Sequence, residues 1–173
     1  MDRGCPEVTR MTGIVLELLA RDLTPGDLTS CGWSGSALHL EAVAEQLRRA
    51  GLGEVDYLAI CPPSGIPVAI GGVDYRVREG AGLLWQLSVH PALQSCGIGT
   101  FLIGAAELRI RARGLRQAEL GVEESNPRAR ALYERLGYVA YGRGPDAWDE
   151  LDSDGSVRRR ETVCTWMRKE LGQ

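Results

Sequence analysis

The order strand, helices, three strands, helix, strand, helix, two strands predicts an α+β fold, a sheet flanked by helices. Three observations carry it. Residues 83–89 are apolar at almost every position, as a central strand covered on both faces should be. That strand runs through His90-Pro91 into a glycine turn, Gln94-Ser95-Cys96-Gly97-Ile98-Gly99, which opens a helix. A second strand-to-helix joint follows at Asn126-Pro127.

Taken in order, residues 1–12 are polar and unpatterned and are expected to fray. Residues 13–23 read as the first strand, ended by Thr24-Pro25-Gly26-Asp27, a turn that also starts a short helix. Ser34-Gly35-Ser36 is a loop. Leu40, Val43, Ala44 and Leu47 then recur at helical spacing until Gly51 closes the helix. Residues 55–61 and 68–78 are strands around Pro62-Pro63-Ser64-Gly65-Ile66-Pro67, an antiparallel hairpin, and Glu79-Gly80-Ala81-Gly82 makes the next turn. The helix after the glycine turn places Ile98, Leu102, Ala105, Leu108 and Ala112 on one stripe and stops at Gly114. Residues 118–122 form a short strand, and Asn126 caps a helix with Pro127 in its first turn. Ala129, Leu132 and Leu136 face its core, with Tyr133 on the shoulder of that stripe. Residues 138–141 are a strand ended by Gly142, residues 144–157 an acidic, turn-rich loop, and residues 161–168 the closing strand. Val163, Thr165 and Met167 share one face of that strand; Thr162, Cys164 and Trp166 share the other. No internal repeat interrupts this pattern, so one domain over residues 1–173 is expected.

The glycine turn is an anion cradle. Its glycines let the backbone approach a ligand, while the unpaired N–H groups and the positive end of the helix dipole face one point. A dinucleotide fingerprint needs a third glycine where Leu102 stands, and a nucleoside-triphosphate loop needs a lysine, whereas the chain's single lysine is Lys169. What remains, Gln94-x-x-Gly97-x-Gly99 between strand and helix, resembles the pyrophosphate loop of the GNAT superfamily of acyl-CoA-dependent N-acyltransferases. Asn126-Pro127-Arg128-Ala129-Arg130-Ala131-Leu132-Tyr133 is similar to a second GNAT signature, an asparagine before a helix and a tyrosine seven residues on.

The resemblance implies a mixed, mostly antiparallel sheet of six to seven strands with splayed central strands. It implies that acetyl-CoA is the co-substrate. Its pyrophosphate would lie on the amides of Gln94, Ser95, Cys96, Gly97, Ile98, Gly99 and Thr100, with Asn126 and Arg128 close by. The pantetheine arm would pair with the backbone of Leu87, Ser88 and Val89, bringing the thioester to Tyr133. In the family an amine attacks the thioester directly, and Tyr133 occupies the position of the usual acid. A phenol near pKa 10 is a poor donor to a thiolate near 8.5, by about 2 kcal/mol, so hydrogen-bond stabilisation of the departing sulfur is the expected role.

The base is harder to read. An alkylamine is mostly protonated at pH 7, and freeing it costs about 4.6 kcal/mol. Family members often carry a glutamate twelve residues before the tyrosine, where this chain has Gly121, and an acid on the central strand, where it has Gln86. Glu123 and Glu124 lie near the acceptor edge in sequence, and Asp146, Asp149, Glu150, Asp152 and Asp154 follow Gly142; together the acids favour a cationic small-molecule acceptor. Trp85, Trp148 and Tyr141 are candidates to shape its pocket, while His90 reads as a strand-end surface residue. With Gln86 and Gly121 in place of acids, an acyl-CoA-binding sensor with little turnover is the rival expectation, and the acyl chain length stays open.

Composition narrows the partners. A formal charge of −3 and a pI near 5.5 argue against nucleic acid, and Arg158-Arg159-Arg160 reads as a solvated strand entrance. No apolar run reaches the roughly 18 residues of a membrane span and no signal peptide is evident, so a cytoplasmic protein is expected. Five scattered cysteines without a Cys-x-x-Cys pair argue against a metal site and for small buried thiols; Cys96 reads as loop filler. A homodimer stays open.

Overall fold

The computed structural model describes residues 15–151 and 155–172. The predicted fraying of residues 1–12 therefore lies outside the described residues, as do Cys5, Asp152 and Asp154. Seven strands appear: β1 (Leu19–Asp22), β2 (Val55–Cys61), β3 (Ala69–Asp74), β4 (Ala81–Val89), β5 (Gln117–Glu123), β6 (Val139–Leu151) and β7 (Val157–Glu170). They form one sheet in the order β1-β2-β3-β4-β5-β7-β6, antiparallel except for β4 and β5. Helices α1 (Ala37–Gly51), α2 (Ile98–Ala112) and α3 (Pro127–Arg135) flank it. The expected α+β fold, with a mixed and mostly antiparallel sheet, is what the chain adopts.

Each face of the sheet has its own apolar layer. On one, Ile103, Ala106 and Ile110 of α2 pack with Leu58, Ile60, Leu84, Leu120, Tyr138 and Met167, joined by Leu132 and Tyr133 of α3. On the other, Val43, Leu40 and Leu47 of α1 meet Tyr57, Ala59, Ile70 and Trp85. Alternation along β5 decides which residues go where. Ala118, Leu120 and Val122 are buried under the α2 layer, which leaves Glu119, Gly121 and Glu123 on the α1 side.

Several boundaries differ from the sequence reading. β1 is only four residues long, and β3 ends at Asp74 because its carboxylate accepts the Arg76 N–H at 2.7 Å and folds the chain into a turn. The two three-to-six-residue 3₁₀ turns Pro25–Ser30 and Gly32–Ser34 fill the segment before α1. On α2 the predicted stripe holds for Ile98, Leu102 and Ala105 and fails in the second half: Leu108 is 64% exposed and Ala112 is exposed, whereas Ile103, Ala106 and Ile110 join the core. The helix is apolar on two sides, so periodicity alone could not choose; the sheet chose the side whose Ile110 closes over Gly82, where a Cβ would approach Ile110 Cγ1 to 2.5 Å. The largest correction concerns the expected loop over residues 144–157, of which 144–151 and 155–157 are described. They are not a loop but most of a long hairpin, in which β6 runs through Gly142 by a register shift and pairs with β7 as far as Leu151↔Val157.

Candidate active site

β4 and β5 are paired only from Ala81↔Gln117 to Leu84↔Leu120 and then separate. The cause lies in β4. Its register against β3 slips between Gly72↔Trp85 and Ile70↔Ser88, a bulge in which Gln86 takes a left-handed conformation at φ 51°. Tyr57 donates a hydrogen bond to Gln86 Oε1 at 3.1 Å, which holds the bulge from the α1 side. Beyond it, Leu87, Ser88 and Val89 border the gap between the strands.

The gap leads to the glycine turn. Ser95 (φ 65°) and Gly97 (φ 83°) reverse the chain, and Gly97 caps α2 without a side chain, so the amides of the first helical turn face outward. Arg128, on the first turn of α3, donates to Gln94 Oε1 at 3.3 Å and to Ser95 Oγ at 2.5 Å; Gln94 in turn donates to the Val89 carbonyl at 3.3 Å. Asn126 accepts the Ala129 N–H at 3.0 Å and thereby fixes the start of α3. A cavity of about 490 Å³ runs between these pieces, bordered by Leu87, Val89, Gln94, Ser95, Gly97, Gly99, Thr100, Asn126, Arg128 and Tyr133. Two other sequence candidates sit differently. The Ile98 side chain is 3% exposed in the core, so only its amide can serve an anion, and exposed Cys96 turns its thiol to the Gln94 carbonyl at 3.7 Å.

Gly97 and Gly99 differ in what the surrounding protein would offer a side chain. A Cβ on Gly97 would meet nothing within 4 Å, and its constraint is the positive φ. A Cβ on Gly99 would make ordinary contacts, 3.6 Å from Leu132 Cδ2 and 3.7 Å from Val89 Cγ2. Gly97→Ala should therefore lose about 1 kcal/mol of stability to left-handed strain, while Gly99→Ala should match or slightly exceed the parent. Urea melts of the two variants check this.

A larger cavity, about 1160 Å³, opens on the α1 face. Its floor is Trp85, Gln86, Gly121, Glu123 and Trp166, and the β6–β7 hairpin supplies Asp146, Trp148, Asp149, Glu150 and Cys164. Of the acids that read as loop charges, Asp146, Asp149 and Glu150 are thus strand residues along its wall. Tyr141, expected there, instead donates to Glu119 at 2.6 Å under the Arg168 guanidinium. Trp166 takes the wall position, flat against Gly121, Gly142 and Gly144 and covered by Arg78 at 4.8 Å. Sequence offered no sign of it beyond three glycines distributed over two strands. Glu124 lies outside the cavity in an exposed pair with Arg143 at 2.5 Å, which holds its carboxyl below the usual range. His90 stands just past the end of β4, half-buried, its ring tilted against Trp33 at 5.4 Å.

The two cavities share Leu87, Asn126, Ala129 and Tyr133. Tyr133 stands where they join, its ring tilted against Tyr138 at 6.2 Å. Burial pushes its hydroxyl above the ordinary value of 10. Among the described residues no side chain hydrogen-bonds that hydroxyl, so it is available to a ligand. The wall of the larger cavity carries the carboxylates of Glu41, Asp74, Glu123, Asp146, Asp149 and Glu150 and no arginine or lysine. Arg49 neutralises Asp74 at 2.7 Å, and Arg159 and Arg160 approach Asp149, Glu150 and Glu123 at 3.5 to 4.0 Å; neither Glu41 nor Asp146 has a cationic partner among the described residues. The Arg158-Arg159-Arg160 run is thereby absorbed into the hairpin. No group of metal-ligating side chains occurs among the described residues, and none of their helices is long and apolar enough to cross a membrane.

Residues 65–138, which contain β3, the β4 bulge, the glycine turn and Tyr133, match the model of the acetyltransferase (GNAT) family. Over this segment the chain resembles that family. Over 64 residues it is 43% identical to mycothiol acetyltransferase of Streptosporangium roseum, a match covering 37% of this chain and 19% of that protein. The chain thus spans about a fifth of the length of the curated relatives it matches. In fold, the chain is similar to the ribosomal-protein-S18-alanine N-acetyltransferase of Escherichia coli (TM-score 0.68, 20% identity, 91% of this chain and 96% of that one). It is also similar to the PaiA N-acetyltransferase of Thermoplasma acidophilum in complex with coenzyme A (TM-score 0.62, 15% identity, 89% and 99%).

Proposed function

We propose that this chain is a GNAT N-acetyltransferase that moves an acetyl group from acetyl-CoA to an amine, with the donor in the smaller cavity and the acceptor in the larger. The observation that carries the reading is the junction of the two cavities at Tyr133. A diphosphate suits the outward amides of the turn, which Arg128 braces, and an extended arm suits the gap between β4 and β5. Acetylated thiol at the end of that arm meets the amine at the junction. The amine lone pair attacks the thioester carbon, the C–N bond forms as the C–S bond breaks, and the Tyr133 hydroxyl donates a hydrogen bond to the sulfur as charge builds on it. The phenol stays protonated throughout neutral pH, which suits donation and not deprotonation of the amine.

Excess negative charge on the acceptor wall favours a cationic small molecule, since such a field concentrates cations and repels anions. A coenzyme A complex in a PaiA neighbour and the name of the mycothiol acetyltransferase relatives fit the same chemistry. The alternative of an acyl-CoA sensor rests on Gln86 and Gly121. Calorimetry with acetyl-CoA, followed by thiol release across a panel of amino acids, polyamines, aminoglycosides and peptide N-termini, tests both. Heat with acetyl-CoA and turnover of at least one amine is expected. Binding without turnover for any amine between pH 6 and 9 supports the sensor, and no heat removes the donor site itself.

A further inference from the structure

We propose that Glu123 is the group that takes the proton from the incoming amine, in place of an acid at position 121; the inference rests on the acetyltransferase reading above. A side chain at Gly121 has no room. A Cβ there would come within 2.9 Å of Trp166 Cζ3, so the indole, which also carries the Arg78 guanidinium 4.8 Å from its ring centroid, would have to shift. Two residues on, strand alternation returns the chain to the same face of β5 at Glu123. This residue lies past the last β4–β5 pair, on the lip of the gap where the thioester is placed, and three residues before Asn126, which borders both cavities. Its side chain is 29% exposed, so water reaches it.

The other wall acids fit the role less well. Asp74 is tied to Arg49 at 2.7 Å and to the Arg76 amide at 2.7 Å. Asp149 and Glu150 stand near the far end of the hairpin beside Arg159 and Arg160. Glu41 is on α1. Around Glu123 itself, Ser125 Oγ donates at 3.4 Å, Arg160 of β7 lies at 4.0 Å, and Cys164 of β7 is its register partner. From β6, Asp146 accepts from Cys164 Sγ at 3.8 Å, and burial beside these acids pushes that thiol up to about 11. Gln86 on β4 is neutral, and Tyr133 on α3 remains a phenol. Glu123 is the carboxylate of this group that belongs to the strand forming the gap.

The step balances without a co-reactant. The ammonium gives one proton through a water to Glu123; the free amine forms the C–N bond as the C–S bond breaks. The second nitrogen proton then passes through water to the thiolate, yielding amide and free thiol, and Glu123 returns its proton to solvent.

The test uses the full chain with the best amine of the panel, in Glu123→Gln, Glu123→Asp and Asp146→Asn variants. Glu123→Gln should lower kcat/KM for the amine about 100-fold at pH 7, with acetyl-CoA affinity by calorimetry unchanged. That deficit should shrink toward pH 10, where the amine arrives deprotonated, and Glu123→Asp should recover part of the rate. Asp146→Asn, which takes one charge from the acceptor wall, should raise KM for the amine a few-fold with no pH-dependent loss of kcat. Parental rates for Glu123→Gln at every pH, a deficit that does not vary with pH, or transfer of the effect to Asp146→Asn overturn the assignment while leaving the acetyltransferase intact. A parent that turns over no amine overturns the acetyltransferase reading and this assignment with it.

Discussion

Tyr133→Phe should lower kcat by two to three orders of magnitude, the loss typical when one donor to a developing anion is removed. Acetyl-CoA affinity should be unchanged, because the ground-state thioester sulfur is a weak acceptor. The substitution removes one oxygen and keeps the ring, so its packing against Tyr138 and the α2 layer survives. The pH profile adds a second readout. The folded pKa of Tyr133 is raised by burial, so the phenol is the resident species below its unfolded value of about 10 and the hydrogen bond it supplies persists to that point. The parent should therefore show no falling limb from this group between pH 6 and 9. Stopped-flow thiol release with equal rates for parent and variant would remove the role.

Glu107→Ala should cost about 3 kcal/mol of stability, by the behaviour of broken buried ion pairs. Glu107 on α2 is 5% exposed and receives both hydrogen bonds of the Lys169 ammonium, at 2.8 and 2.9 Å, together with the Tyr138 hydroxyl at 3.1 Å. Removing the carboxylate strands a cation and a phenol that burial and the neighbouring carboxylate already hold far above the ordinary tyrosine value. For a chain of this size the loss corresponds to a fall of about 6 to 12 °C in Tm. Glu107→Leu combined with Lys169→Met should recover most of it, since the desolvation cost of both charges disappears. A melt of the four members of that cycle measures the coupling. The effect reaches the cavity junction as well: the Tyr138 N–H donates to the Tyr133 carbonyl at 3.0 Å, so a loosened Tyr138 loosens the end of α3 that carries Tyr133.

How much of the structure the sequence reveals follows the strength of local chemistry. The limits of α2 were legible because Gly97 and Gly114 both adopt the positive φ that glycine favours, and β2 because seven consecutive residues lie between clear turn formers. The turn and cap around the smaller cavity were legible for the same reason: they are built from contiguous residues whose signals are local. The walls of the larger cavity are not. β6 contains Gly142, Gly144 and Pro145, which read as loop, yet as an edge strand it tolerates proline, and Arg159 and Arg160 of β7 reach its acids across the ladder. The Gln86 bulge depends on Gly71 and Gly72 of β3 yielding space to Leu87 and Trp85, a relation between strands that no single window contains.

The indole of Trp166 also bears on how this chain can change over generations. Positions 121 and 166 occupy one volume, so a single substitution that adds a side chain at 121 arrives in a space already filled, and a shrunken 166 alone leaves a void over three glycines. Either first step is unfavourable while the pair together is not, which makes the two sites epistatic. Lineages sharing this indole are expected to keep glycine at 121, and those that restore an acid there to have traded the indole away.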